Sequence, residues 1–386
     1  MLVNNYLIHI IFFLNLFPLL FLPQQNSDDA RIFSIPFVYL FWFLLFTISI
    51  ISSIRKTYPI KLFLFLFLFI TYFTIQSILI NAYTSGYIYL ISILFLFLGF
   101  YTLRIKLNNI PIYYIKKTIV RLNMILIIFI IIAFTKFHLN LSEDVNPIVF
   151  YNRNATALAV LCLYMTTLSL YDNSKNSYIF YLYILFFMLF FIFLQSRAGL
   201  VCFLVFNVIS LFKFNIRSTI SILLVITILL SILLLTDLGS LIDERFKIAM
   251  HTVKALLGQA SPPAAAEHDY RRFILIFAGI DILKNNFLIG TGLGVENYIR
   301  FFDIMKYPTY PGLAHNFYLV YPAQMGCVGF LLFLALLKYF VFPQKLNKKN
   351  LSYIFTIAIY IINNEYVLLP EVWIFMAYFQ CINRNS

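Results

Sequence analysis

Long apolar runs dominate the chain. They lie at about 6–23, 34–53, 60–80, 87–103, 122–137, 154–171, 178–195, 199–212, 218–236, 316–337, 351–364 and 369–383. Most are about 17–22 residues long with few charges, the length a helix needs to cross hydrocarbon. A membrane β-barrel would alternate apolar and polar positions in segments of about ten residues, and these runs do not alternate. The pattern predicts an all-α polytopic membrane protein with about twelve transmembrane helices.

One interval breaks the rhythm. Residues 237–315 hold no span. The chain therefore divides into a membrane domain over 1–236 (spans 1–9), a large loop over 237–315 and a membrane domain over 316–386 (spans 10–12). Inside the loop, 241–257 and 269–285 have helical spacing. In the second, Phe273, Ile276, Phe277, Ile280 and Leu283 form an apolar stripe. His268 or Asp269 is expected to cap that helix, and 258–266, with Pro262-Pro263, is a connector. The basic segment 104–121 is predicted to be a partly amphipathic helix at the membrane surface.

Composition agrees with a membrane class. The chain is 62% hydrophobic and 11% charged, whereas soluble domains are about a quarter charged. Charge sets the orientation. Twelve spans put both termini on one side. That side collects 16 of the 28 Lys and Arg against one acid, Asp172. The other 12 bases share the opposite face with 14 of the 15 acids. The balance is +15 against −2, which sums to the formal +13. Basic loops stay cytoplasmic, so both termini are expected in the cytoplasm and the large loop outside it. The basic balance then needs no nucleic-acid partner. The four cysteines fall inside spans without metal-ligand spacing and are expected to be buried apolar residues. The first residues lack a basic n-region and a small-residue cleavage site, so 6–23 is expected to be the first span rather than a signal peptide.

The polar residues that could carry chemistry gather on the outer face. Arg153 opens span 6, Arg197 opens span 8, Arg271 and Arg272 start a loop helix, and His315 starts span 10. Guanidiniums hold phosphate through fixed bidentate forks, and a histidine takes a proton near neutral pH. A diphosphate at membrane depth with a sugar hydroxyl to activate would need this set. Arg153 and Arg197 could equally be anchors at helix ends, and His315 a cap. One of Arg271 and Arg272 could face outward to pair with Asp269 or Glu267. The run Gly290-Thr291-Gly292-Leu293-Gly294 has neither a preceding strand nor a following P-loop lysine, so it reads as a tight turn. His251 and His268 read as solvated, and Glu365 and Glu371 as interfacial. No metal set is legible.

Three ordered segments resemble the bacterial O-antigen ligase/polymerase superfamily of inverting membrane glycosyltransferases. They are Gln195-Ser196-Arg197-Ala198-Gly199, then Arg272 in a helix running into Asn285-Asn286-Phe287-Leu288-Ile289-Gly290-Thr291-Gly292, then Ala314-His315-Asn316-Phe317-Tyr318-Leu319 followed by Gly326 and Gly329. The resemblance covers about residues 150–340. Asn286 stands where family members usually have proline. The resemblance implies a C-type glycosyltransferase architecture and an undecaprenyl-diphosphate-linked oligosaccharide as substrate. It also implies no cofactor, metal or nucleotide sugar. It implies Arg197 and Arg271 or Arg272 around the diphosphate and His315 near the acceptor. Taken with the residues read above, His315, Arg272 and Arg271 are expected to be catalytic, and Arg197 and Arg153 to bind the diphosphate. The expected activity is polymerisation of O-antigen or capsule repeat units on the periplasmic face of a bacterial inner membrane. The expected partners are membrane lipids and a chain-length regulator. Ligation of the finished glycan to lipid A-core is the nearest alternative, and flipping of the lipid-linked oligosaccharide a more distant one.

Overall fold

The computed structural model describes residues 31–32, 35–36, 60–108, 110–140, 153–170, 177–193, 196–211, 247, 254, 267–307, 309, 311–342, 348–362 and 370–383. Spans 6–23 and 218–236, the connector 258–266, His251 and Glu365 lie outside these, as do the 34–53 span apart from residues 35–36 and the 241–257 helix apart from residues 247 and 254. The regular elements among the described residues are helices, apart from an antiparallel pairing of β1 (Arg31–Ile32) with β2 (Ile35–Pro36). The helices are α1 (Ile60–Leu79), α2 (Ser85–Asn108), α3 (Ile112–Asn140), α4 (Arg153–Leu168), α5 (Ser177–Phe193), α6 (Arg197–Leu211), α7 (Glu267–Asn285), the short α8 (Val295–Ile299), α9 (Phe317–Leu336), α10 (Lys348–Tyr360) and α11 (Pro370–Ile382). A π-helical turn, Leu337–Val341, extends α9.

Most helices coincide with an expected span, and two differences have physical causes. The basic segment 104–121 is not a separate surface helix. It is the end of α2 and the start of α3, joined by a turn before Pro111, because proline cannot continue the preceding helix. The long loop helix starts at Glu267, so His268 and Asp269 lie in its first turn rather than at its cap.

One apolar core joins α1–α6 and α9–α11. Phe97 and Phe100 of α2 meet Trp373 of α11 edge-on, with ring centroids 5.3 and 5.7 Å apart, a favoured aromatic arrangement. Several polar groups in this core are paired. Tyr164 donates to Asn207 Oδ1 at 2.6 Å, and Asn123 Nδ2 donates to Thr167 Oγ1 at 2.6 Å. The outside of α1 is the reverse of a soluble surface, with Phe63, Leu64, Phe67, Leu68, Ile75 and Ile78 all exposed. Two described stretches, Ser85–Ile105 and Phe317–Tyr339, are long and apolar enough to cross a membrane. Cys162, Cys202 and Cys381 are buried and, like Cys327, are free thiols.

The two ends of the bundle differ in charge. Phe65 of α1 stacks on Tyr339 at 5.1 Å, Gln380 Nε2 donates to the Val341 carbonyl, and Cys381 Sγ lies 3.3 Å from the Leu107 carbonyl oxygen. With the Tyr353 ring 4.3 Å from that of Phe379, these contacts bring together the helix ends that carry Lys61, Arg104, Lys106, Lys116, Lys117, Lys338 and Lys349. The acids Asp281, Glu296 and Asp303 belong to the segments at the other end.

Span 10 is not one straight helix. Sixteen residues of straight helix rise about 24 Å, yet Phe317 lies 6.1 Å from Phe330 and 6.2 Å from Phe333, ring centroid to ring centroid. The fold-back is at Gly326, whose φ of 66° and ψ of 172° leave the helical region. Pro322, four residues earlier, already lacks an N–H. A broken helix leaves carbonyls open, and inside an apolar bundle they must be met by protein. Here the 286–292 segment meets them. The Thr291 N–H donates to the Ala323 carbonyl at 2.9 Å and the Gly292 N–H to Gln324 at 3.0 Å, while the Phe287 carbonyl accepts from the Cys327 N–H at 2.8 Å. Side chains of α1 complete the set. Tyr72 Oη donates to the Met325 carbonyl at 2.8 Å, and Gln76 Nε2 to that of Gln324 at 2.9 Å.

Candidate functional site

The glycine run lies in this junction. Gly290, Gly292 and Gly294 all have positive φ, at 83°, 90° and 98°. Gly290 packs against the backbone of the α9 break. This is the tight turn expected from the sequence, and the N–H groups of Gly290, Thr291 and Gly292 are taken up by protein carbonyls. The segment that follows is pinned to the α1–α2 corner. Asn297 Oδ1 accepts from the Tyr83 N–H at 2.7 Å, and Ser85 donates to the Glu296 carboxylate at 2.6 Å. Arg300 donates to the carbonyls of Asn81 and Ile80 at 2.8 and 2.7 Å and lies over the Tyr83 ring. A fork that reaches two carbonyls while stacking on an aromatic ring is a task for arginine rather than lysine. Sequence reading passed over Arg300. Its only local signal was position, on a short helix directly after the glycine run.

Arg197 and Arg153 open two neighbouring helices. Ser196 precedes α6 and its Oγ accepts from the Gly199 N–H at 3.2 Å, an N-cap bond. A Cβ on Gly199 would lie 3.1 Å from Ala157 Cβ and 2.8 Å from the Phe191 ring. Glycine therefore lets α4, α5 and α6 close together at this level. Arg197 is two residues before Gly199, and Arg153 is one turn before Ala157. The backbones at Arg153 and Arg197 thus enter side by side, at two helix N-termini whose dipoles favour anions.

His315 enters the same end by another route. Ser210, near the C-terminus of α6, lies 3.4 Å, hydroxyl to hydroxyl, from Ser352 at the start of α10. The two helices are antiparallel. From that contact, α6 rises about 20 Å back to Arg197 and α10 about 14 Å forward to Ile361. The Ile361 carbonyl then accepts the Phe317 N–H at 3.1 Å, two residues from His315. His315 itself has φ +49°. Left-handed backbone is uncommon outside glycine and costs energy that the surroundings must offset, so it concentrates at functional sites.

The structure treats the two loop arginines differently. Leu275, Ala278 and Ile282 of α7 are buried in a small cluster with Tyr298, Phe302 and Ala323. Arg271 is one turn before Leu275 on that face. A Cβ on Gly312 would lie 3.8 Å from Arg271 Nη2 and 3.6 Å from Leu275 Cδ1. One turn on, a Cβ on Gly279 would lie 3.2 Å from Ala314 Cβ. The face of α7 that carries Arg271 is therefore laid along 312–314, the approach to His315. Arg272 is half-buried on the adjacent face, above Ile276, Ile280 and Leu283, which pack on the main core.

A polar clamp closes the loop further out. Asp281 accepts from Lys306 Nζ and, at 2.6 Å, from Tyr307 Oη. The hydrogen bond from Lys306, then that from Tyr307, holds the Asp281 carboxyl below its usual range, and the bond to Asp281 pushes Lys306 up. Among the described residues no group of three or more His, Cys, Asp or Glu could hold a metal ion.

No match was found among curated proteins or among solved structures. Residues 180–334 match the family model described as O-antigen ligase. That interval contains Arg197, both loop arginines, the glycine run and the Ala314-His315-Asn316 segment, and over it the match supports the resemblance to the O-antigen ligase/polymerase superfamily.

Proposed function

We propose that the chain is a metal-independent, inverting membrane glycosyltransferase that polymerises undecaprenyl-diphosphate-linked O-antigen or capsule repeat units on the periplasmic face of a bacterial inner membrane. A hydroxyl of one lipid-linked repeat attacks the anomeric carbon of a growing lipid-linked chain. The new C–O bond forms as the bond to the diphosphate breaks, and undecaprenyl diphosphate leaves with the bonding electron pair. His315 accepts the hydroxyl proton. Arg197, Arg153 and Arg271 stabilise the charge growing on the departing diphosphate, with Arg272 next to it. Much of the rate comes from positioning, because a diphosphate is already a good leaving group.

The observation that carries this reading is that α4 and α6 begin, and the α7 face and the left-handed His315 lie, at the end of the bundle opposite the lysine-rich one. The charge difference between the ends supports a periplasmic site. The test is a chromosomal null complemented with His315→Ala and Arg197→Ala at matched expression. Both are expected to leave lipid A-core carrying a single repeat. Long-chain glycan from both variants would sink the site assignment. The second reading, ligation to lipid A-core, is favoured by the description of the matching family. It predicts bare core in the null, so the same gel separates the two.

A further inference from the structure

Two neighbouring residues at the start of α9 sit in arrangements that folding alone disfavours. His315 is left-handed. Asn316 has the extended backbone of an N-cap, with φ −132° and ψ 114°, and its carbonyl accepts from Leu319 and Val320 at 3.2 and 2.8 Å. Yet its side chain makes no cap bond to the first turn. Its Oδ1 is instead buried without a hydrogen-bond partner. Asparagine is favoured at this position because of the bond it forgoes here, and a buried acceptor without a donor has lost its water for nothing in return. Among the described residues, three other buried amides have an unmet oxygen: Asn350 at the start of α10, and Gln76 and Gln380, the last two tied through Nε2 to backbone carbonyls. Gln76 and Gln380 are bolts between helices. Asn316 Oδ1 stands beside the residue read as the base.

The atom that lacks a partner is an acceptor, which decides what it can take. Diphosphate oxygens only accept, so they cannot satisfy it. A sugar hydroxyl donates and can. We infer that Asn316 Oδ1 binds a hydroxyl of the acceptor sugar and so orients the attacking oxygen toward His315. This rests on the glycosyl-transfer reading above and assigns acceptor recognition within it. The folded chain leaves this oxygen unsatisfied so that the acceptor completes the site.

The experiment uses the full chain in proteoliposomes, with a lipid-linked polymer as donor and a single lipid-linked repeat as varied acceptor. Asn316→Ala is expected to raise the acceptor KM about tenfold, the scale of one lost hydrogen bond, with donor KM unchanged. Its Tm is expected to hold or rise, since a dry acceptor has been removed. Asn316→Asp, which keeps the accepting oxygen, is expected to recover part of the acceptor affinity. A lower Tm with unchanged acceptor KM would make Asn316 a structural cap and overturn the inference. So would a rise confined to donor KM. Wild-type activity with an unaltered Asn316→Ala removes this inference alone. A wild type that transfers no sugar from any diphosphate-linked oligosaccharide removes the reading beneath it as well.

Discussion

Gly290 and Gly326 lie back to back. A Cβ on Gly290 would collide with the Gly326 amide nitrogen, and one on Gly326 would reach 2.7 Å from the Ile289 carbonyl oxygen. Both have positive φ. Two chain segments 36 residues apart in sequence therefore meet through bare backbone, and their contact holds the break in α9.

Gly290→Ala and Gly326→Ala are each expected to destabilise the protein by about 3 kcal/mol or more, because overpacking against backbone adds to the cost of left-handed geometry. Gly312→Ala is the control, with its nearest atoms at 3.6–3.8 Å and no positive φ. It is expected to stay within about 0.5 kcal/mol. Thermal unfolding in detergent reads all three, and equal Tm values across the set would contradict the packing described.

Arg271 and Arg272 are expected to separate in activity. Arg271 shares a face with Leu275 and borders Gly312, so Arg271→Ala is expected to cost about 100-fold or more, the scale of a lost donor to developing charge. Arg272→Ala is expected to cost less. Initial rates of glycan extension at matched folded protein decide this, and the reverse ranking would reassign the diphosphate contact to Arg272.

The Asp281–Lys306–Tyr307 clamp sets a pH dependence whose direction can be stated. Asp281 is held below its usual 3.8, so its contribution is present above that value and lost as pH falls through the lower folded-state pKa. Lys306 is raised above 10.5, so its contribution is present below that value and lost as pH rises through the higher one. Tyr307 is raised above 10.0, by burial and then by its bond to Asp281, and loses its donated proton in the same alkaline range. The difference in Tm between wild type and Asp281→Asn is expected to be small, since the pair is solvent-facing. It should be largest near neutral pH and shrink toward both extremes. A difference that does not vary with pH would exclude the clamp.

Arg300→Lys is expected to cost about 1 kcal/mol. An ammonium can reach one of the two carbonyls at Ile80 and Asn81 but cannot also lie flat over Tyr83. Tm and proteolysis at the α1–α2 corner report it, and a variant indistinguishable from wild type would show that Asn297 and Ser85 suffice there.

Hydrophobic run length alone determined the helical class and the approximate extent of α1, α2, α4–α6, α10 and α11, because crossing an apolar layer imposes one length and one way of satisfying the backbone. The distribution of lysine and arginine determined which helix ends belong together. Residue type marked Arg153, Arg197, Arg271, Arg272 and His315 as candidates, since few side chains hold phosphate or move a proton.

Tertiary structure decided the rest. Pro322 and Gly326 were in plain view, but a proline and a glycine in an apolar run fit a kinked span as well as a fold-back. What selects the fold-back is the 286–292 segment, which supplies donors to the opened carbonyls from about 35 residues away. The choice of Arg271 over Arg272 at Gly312 depends on the rotation of α7, which is set by packing against Ala314 and Ala323. The left-handed backbone of His315 and the unmet oxygen of Asn316 were likewise invisible in the string. Both follow from how Gly312, Ala314 and Phe317 are held by helices α7 and α10, which sequence order does not reveal.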